Sequence, residues 1–131
     1  MPGIGELISP DLLRFRAQTL GMWVQLTDAA TIATDASLSD FFYVTLGGNR
    51  TLGAPTNLPP AATLHKKGLL YRIRQDGTGT RTLAFNAVFR FPGAVTPTIT
   101  ATANETSYLA FIYNEIDSTW DQVGQMLDLR A

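Results

Sequence analysis

The chain of 131 residues contains no cysteine. No disulfide can staple it, no thiolate can act as nucleophile, and the redox character of its compartment is left open. Histidine occurs once, as His65 in the run TLHKKG. A Ser-His-Asp arrangement would have to use that residue, yet no serine sits in a G-x-S-x-G elbow, and Lys66 and Lys67 oppose a charged imidazolium beside them. A zinc site without cysteine needs more histidine than this. Long apolar runs are missing too: nothing approaches the roughly 18 residues of a membrane-spanning helix, and the MPGIG start has neither the positive region nor the hydrophobic run of a secretory signal. A soluble, unexported chain without a membrane partner is expected.

The length suits one domain, large enough to bury a core without metal or disulfide. Formal net charge is −1, but it is unevenly spread. Residues 50 to 90 carry Arg50, Lys66, Lys67, Arg72, Arg74, Arg81 and Arg90 against Asp76 alone, whereas residues 91 to 131 carry Arg130 against Glu105, Glu115, Asp117, Asp121 and Asp128. Either strands from these segments interleave and the field averages out, or complementary faces register identical subunits or a partner. Nucleic acid is not an expected partner, because basic and aromatic residues do not alternate as a stacking platform requires.

Along the chain, ISPDLLRFRAQTLG offers Ser9 as N-cap, Pro10 at the first helical position, Asp11 in the first turn and Gly21 as stop, predicting a short helix over 10–20. Leu12, Leu13, Leu20 and then Trp23 form an incomplete stripe, with Phe15 off that face. Residues 1–26 therefore read as a helix or arm and 27–131 as a β domain. From Trp23 onward the period is two, and strands are expected at Thr31–Thr34, Phe41–Leu46, Leu69–Gln75, Arg81–Phe85, Thr98–Ala103, Tyr108–Glu115 and Trp120–Leu127. In Leu69–Gln75, Leu69, Tyr71 and Ile73 share one face while Leu70, Arg72 and Arg74 share the other, as in a half-buried strand with a basic outer face. Both faces of Tyr108–Glu115 are apolar, which fits a central strand or one covered by another subunit. A homo-oligomer, a trimer, is expected on that ground, with Tyr108, Phe111 and Tyr113 at its interface. The proline-bearing stretch 51–68 reads as a crossover between sheets.

The run QDGTGTRTLAF invites a phosphate-binding reading, but it meets neither the dinucleotide nor the Walker spacing, and a strand rather than a helix follows it. Asp76-Gly77-Thr78-Gly79 reads instead as a hairpin loop between Leu69–Gln75 and Arg81–Phe85. Asp117 with Asp121, or Glu105 with Glu115, could meet across a sheet as acid and base, though they read equally as surface acids near turns. Asp28, Asp35 and Asp40 lack the alternation and terminal glutamate of a calcium loop. The sequons at Asn49 and Asn104 carry weight only on a secretory route. Phe85, Phe89, Phe91, Tyr108, Phe111 and Trp120 read as core residues, with a carbohydrate groove as the other reading. No cofactor, metal or catalytic residue is expected.

The succession TLGGNRTLGAPTNL, then RIRQDGTGTRTLAF, FRFPGAVTPT and a hydrophobic strand, resembles a module that recurs in bacteriophage virion proteins, as a C-terminal unit of tail-fibre-like proteins and as a small stand-alone structural protein. The match runs from about residue 29 to 121. It departs at Ala94, where a second glycine is common, and at Tyr113-Asn114-Glu115, where a short glycine turn is usual. The resemblance implies an antiparallel β-sandwich, jelly-roll-like, assembled around a symmetry axis and without enzymatic activity. With only a short N-terminal extension before the module, it implies a capsid decoration (cement) protein made in the host cytoplasm and carried on the virion, bound to the major capsid protein. The alternative is a tail fibre, tail-tip or adaptor component, with glycan binding as a further possibility. Leu12, Leu13, Phe15, Met22 and Trp23 are the expected docking anchor; the other reading has them closing one end of the sandwich.

Overall fold

The computed structural model describes residues 22–58, 60 and 67–129. Among the described residues nine strands follow in chain order: β1 (Trp23–Gln25), β2 (Thr31–Ile32), β3 (Phe41–Leu46), β4 (Arg50–Leu52), β5 (Gly68–Gln75), β6 (Leu83–Phe85), β7 (Phe89–Arg90), β8 (Thr106–Asn114) and β9 (Thr119–Leu129), with a 3-10 turn at Pro92–Ala94. The fold is all-β. The helix expected over 10–20 lies outside the described residues. The domain begins before residue 27, because β1 pairs with β3 at Trp23↔Phe41 through Gln25↔Tyr43.

Two sheets form: a large one ordered β1-β3-β5-β8-β9-β7 and a small one ordered β2-β4-β6. The chain alternates between them from β1 to β7, laying one strand in each sheet per circuit. A chain that crosses and returns re-enters its sheet in its former direction, so β1, β3 and β5 pair in parallel, as do β2, β4 and β6. Only β8 runs against its neighbours, antiparallel to both β5 and β9, while β7 lies parallel to β9. The sheets are thus mixed, whereas the sequence reading had them antiparallel throughout.

Inner and outer rows follow the expected period. Phe42, Val44 and Leu46 of β3, Leu69, Tyr71 and Ile73 of β5, and Leu109, Phe111 and Tyr113 of β8 point inward, and Ile32, Leu52 and Leu83 meet them from the small sheet. Tyr71 packs edge-on against Phe89 and Phe111, with ring centroids 6.4 and 6.0 Å away. Each such large side chain contributes roughly 1.5–3 kcal/mol by burial.

Two expectations need correction. β5 and β6 do not form a hairpin, since β6 pairs with β4 and belongs to the other sheet. The Asp76 carboxylate does turn the chain, accepting the Thr78 and Gly79 N–H groups at 3.0 Å each, with Gly79 at φ +72°. The loop is then tied to a distant segment: Thr80 N–H donates to the Ala101 carbonyl at 2.6 Å and Asn104 N–H to the Asp76 carbonyl at 3.0 Å. The stretch Thr98–Ala103 forms no strand. Ile99 and Thr100 are buried in alternation with exposed Thr98 and Ala101 only in part, and side chains hold the backbone: Gln75 Nε2 donates to the Thr100 carbonyl at 2.6 Å, and Thr100 N–H donates to Ser107 Oγ at 3.2 Å. The crossover read over 51–68 links β4 in the small sheet to β5 in the large one.

Candidate functional site

Strand order decides which outward residues become neighbours. Across the outer face of the large sheet, Trp23, Phe41, Leu70, Ala110 and Gly124 form one row, and Gln25, Tyr43, Arg72, Tyr108 and Met126 the next. These are the alternate positions of strands whose other row fills the core, so the period that buries Tyr71 also presents Leu70 and Arg72 to the outside.

The Trp23 ring lies over this face. Its centroid is 5.4 Å from that of Phe41 and, reaching across the strands between, 6.5 Å from that of Tyr108. The Arg72 guanidinium sits 4.6 Å from the Trp23 ring centre and 4.8 Å from that of Tyr43. A guanidinium is weakly hydrated and planar, so stacking between two rings holds it at little desolvation cost. Beside this cluster a shallow trough of about 470 Å³ is lined by Leu70, Tyr108, Ala110, Gly124, Gln125 and Met126. Trp23 is 38% exposed, Ile112 46% and Met126 61%. These residues make the outer face of the large sheet the candidate interaction surface among the described residues.

The other residues singled out in the sequence fall elsewhere. Leu12, Leu13, Phe15 and His65 lie outside the described residues, while Met22 and Trp23 stand at the edge of the aromatic face. Of the three residues assigned to an oligomer interface, only Tyr108 is on the outer face. Phe111 and Tyr113 are 1% and 8% exposed, facing the small sheet. Their correction has a simple cause: residues 108 and 111 differ by an odd number of positions and so point to opposite sides of a strand. Of the aromatic set read as core, Phe89, Phe111 and Trp120 are buried, and Phe85 and Phe91 pack half-buried against them.

The candidate acid pairs are otherwise engaged. Arg90 bridges Asp121 at 2.7 Å and Asp117 at 3.0 Å, and its guanidinium holds the Asp121 carboxyl well below the usual carboxylate range, opposite to what a general acid needs. Glu105 and Glu115 flank the two ends of β8, about 30 Å apart at about 3.3 Å per residue. Asp28 is paired with Arg50 at 2.8 Å, and that hydrogen bond lowers its pKa; Asp40 is paired with the buried Lys67, and Asp35 receives the Ser37 N–H at 3.0 Å. The sequence reading missed Phe41, Tyr43, Leu70 and Met126 as surface-site residues. Their alternation was visible, but their adjacency depends on the order of strands.

Compared with known proteins, the chain matches no family model, no curated protein and no solved structure.

Proposed function

We propose that this chain is a structural protein of a bacteriophage particle, a decoration protein held on the outer surface of the head. Two things support the reading: the resemblance of the NRTL-x-x-PTN and QDGTG-x-RTL-x-F runs to the virion module, and the open aromatic face of the large sheet. That face is the observation that carries it. A decoration protein works by adhesion, and Trp23, Tyr43 and Tyr108 around the Arg72 stack provide rigid, amphipathic contact area, the composition that dominates binding energy at interfaces.

Quantitative mass spectrometry of purified particles of the encoding phage tests the proposal. The chain is expected at a copy number proportional to that of the major head protein, and Ile112→Glu with Met126→Glu, both at exposed positions, should remove it from particles while the isolated protein stays folded. A copy number near one dozen would transfer the protein to the tail. Absence from particles would overturn the proposal.

A further inference from the structure

We propose that the partner docking on the outer face is an extended acidic protein segment, whose carboxylates reach Arg72 and Arg74 while an apolar side chain fills the trough beside them. The inference deepens the proposed function by naming the partner's chemistry, and it rests on that reading only in taking the same face. Ion pairing divides the basic residues into two groups. Arg50 pairs with Asp28, Lys67 with Asp40, Arg81 with Asp76, and Arg90 with Asp117 and Asp121. Among the described residues Arg72 and Arg74 have no such carboxylate: their neighbours across the strands are Tyr43 and Tyr108 in one row, Thr45 and Thr106 in the next. The positive charge that the described residues leave uncompensated therefore gathers on one strand of one face, and the surface complementary to it is negative.

Arg72 is held in place before anything binds. Its guanidinium stacks between the Trp23 and Tyr43 rings, 4.6 and 4.8 Å from their centres. Stacking occupies the flat faces of the group and leaves its N–H edge, the part that grips a carboxylate through two parallel hydrogen bonds. Little side-chain freedom then remains to be lost on binding, which raises affinity. Arg74 is exposed, and it adds attraction at longer range.

Leu70, Arg72 and Arg74 are alternate residues of β5, so they stand ~6.6 Å apart along one line. An extended segment repeats at the same interval. Acidic residues two positions apart on it meet the two arginines, and an apolar residue two positions further meets Leu70 at the trough. The walls of Leu70, Ala110 and Met126 suit a hydrocarbon side chain, and there is room for one at Gly124, where a Cβ would meet nothing within 4 Å. A sugar would leave hydroxyls without partners against those walls, and a sugar-phosphate backbone has no hydrocarbon group to place there.

The test is an NMR titration of the isotope-labelled full chain with a short peptide bearing glutamate, aspartate and leucine at alternate positions, and with its counterpart bearing glutamine and asparagine in place of the acids. The acidic peptide is expected to move the amide signals of Leu70, Arg72 and Tyr108 while those of Arg50 and Arg81 stay in place. Its neutral counterpart should bind roughly tenfold more weakly. Arg72→Lys keeps the charge but loses the planar edge, and should weaken the acidic peptide roughly tenfold. Arg74→Gln should weaken it about threefold, as for an exposed pair. Unchanged small-sheet signals of Thr51 and Ala84 in both variants show that the fold is intact. Absence of binding by the acidic peptide, or equal binding of the two peptides, would overturn the proposal. So would tighter binding of sialyllactose or of an oligothymidylate, which would make the partner a glycan or a nucleic acid. No particle enters this experiment, so its failure is distinct from failure of the particle assay.

Discussion

The hydroxyl oxygens of Tyr71 and Thr34 lie 2.9 Å apart, both residues fully buried between the two sheets. Each satisfies the other where water has no access. Tyr71→Phe should cost about 1–3 kcal/mol in urea unfolding, because it leaves the Thr34 hydroxyl without that partner. Adding Thr34→Val should restore part of the loss, and a double-mutant cycle with no coupling would contradict the pairing.

Gln75 ties three backbone groups with one side chain. Its Nε2 donates to the carbonyls of Arg81 and Thr100 at 2.7 and 2.6 Å, and its Oε1 accepts the Arg81 N–H at 3.0 Å. Gln75→Met, similar in shape but without these bonds, is expected to destabilise by about 2–4 kcal/mol, since several buried polar groups lose a partner together. Hydrogen exchange should quicken most at Thr80 and Arg81.

The two glycines of the QDGTG run differ in kind. At Gly79, with φ +72°, a Cβ would sit 2.7 Å from the Ala101 carbonyl oxygen and the Ala103 nitrogen; at Gly77 it would meet nothing within 4 Å. Gly79→Ala should lower stability by more than ~1 kcal/mol, whereas Gly77→Ala should be neutral or slightly stabilising. Equal effects at both positions would refute this account of the loop.

Ala94 occupies φ +58°, the left-handed region that costs a residue with a Cβ roughly 1–2 kcal/mol. A glycine would occupy this position without that penalty. Ala94→Gly should therefore raise the thermal midpoint, against the usual entropic penalty of glycine.

The Arg90 guanidinium lowers the pKa of Asp121 below its ordinary 3.8, helped by Asn114 and Thr119, which donate to the carboxylate. A folded-state pKa below the unfolded value means that the unfolded chain takes the proton first. The contribution is complete above the unfolded value and fades as the pH falls through the folded one. Asp121→Asn should thus be less stable than the parent at neutral pH, with the difference shrinking below about pH 4 as the parent carboxylate protonates. The side chains of Arg90 and Asp121 are 47% and 33% exposed, so the difference should be small and should weaken with salt.

Much of this architecture was legible in advance, and the reason is local. Leu69, Tyr71 and Ile73 alternate with Leu70, Arg72 and Arg74, and steric geometry alone sends successive side chains of a strand to opposite sides. The inner rows of β3 and β5, the all-β class and the turn at Asp76–Gly79 follow from such short-range rules. The sequence by itself therefore determined the alternation within each strand, but not which side of Tyr108–Glu115 is inside, because both of its rows are apolar. It did not determine which strands are neighbours. Every strand offers the same ladder of N–H and C=O groups, so β6 could join β5 or β4 on local grounds equally well. Pairing with β4 is held by contacts between residues far apart in the chain: the Arg50 N–H donates to the Thr82 carbonyl, the Asn86 N–H to the Leu52 carbonyl and the Thr82 N–H to Asn49 Oδ1. The same long-range closure carried the chain back and forth between the sheets and made the sheets mixed. It also set Trp23, Phe41, Leu70 and Tyr108 side by side, because a surface made of one or two residues from each of five strands exists only once those strands are in order.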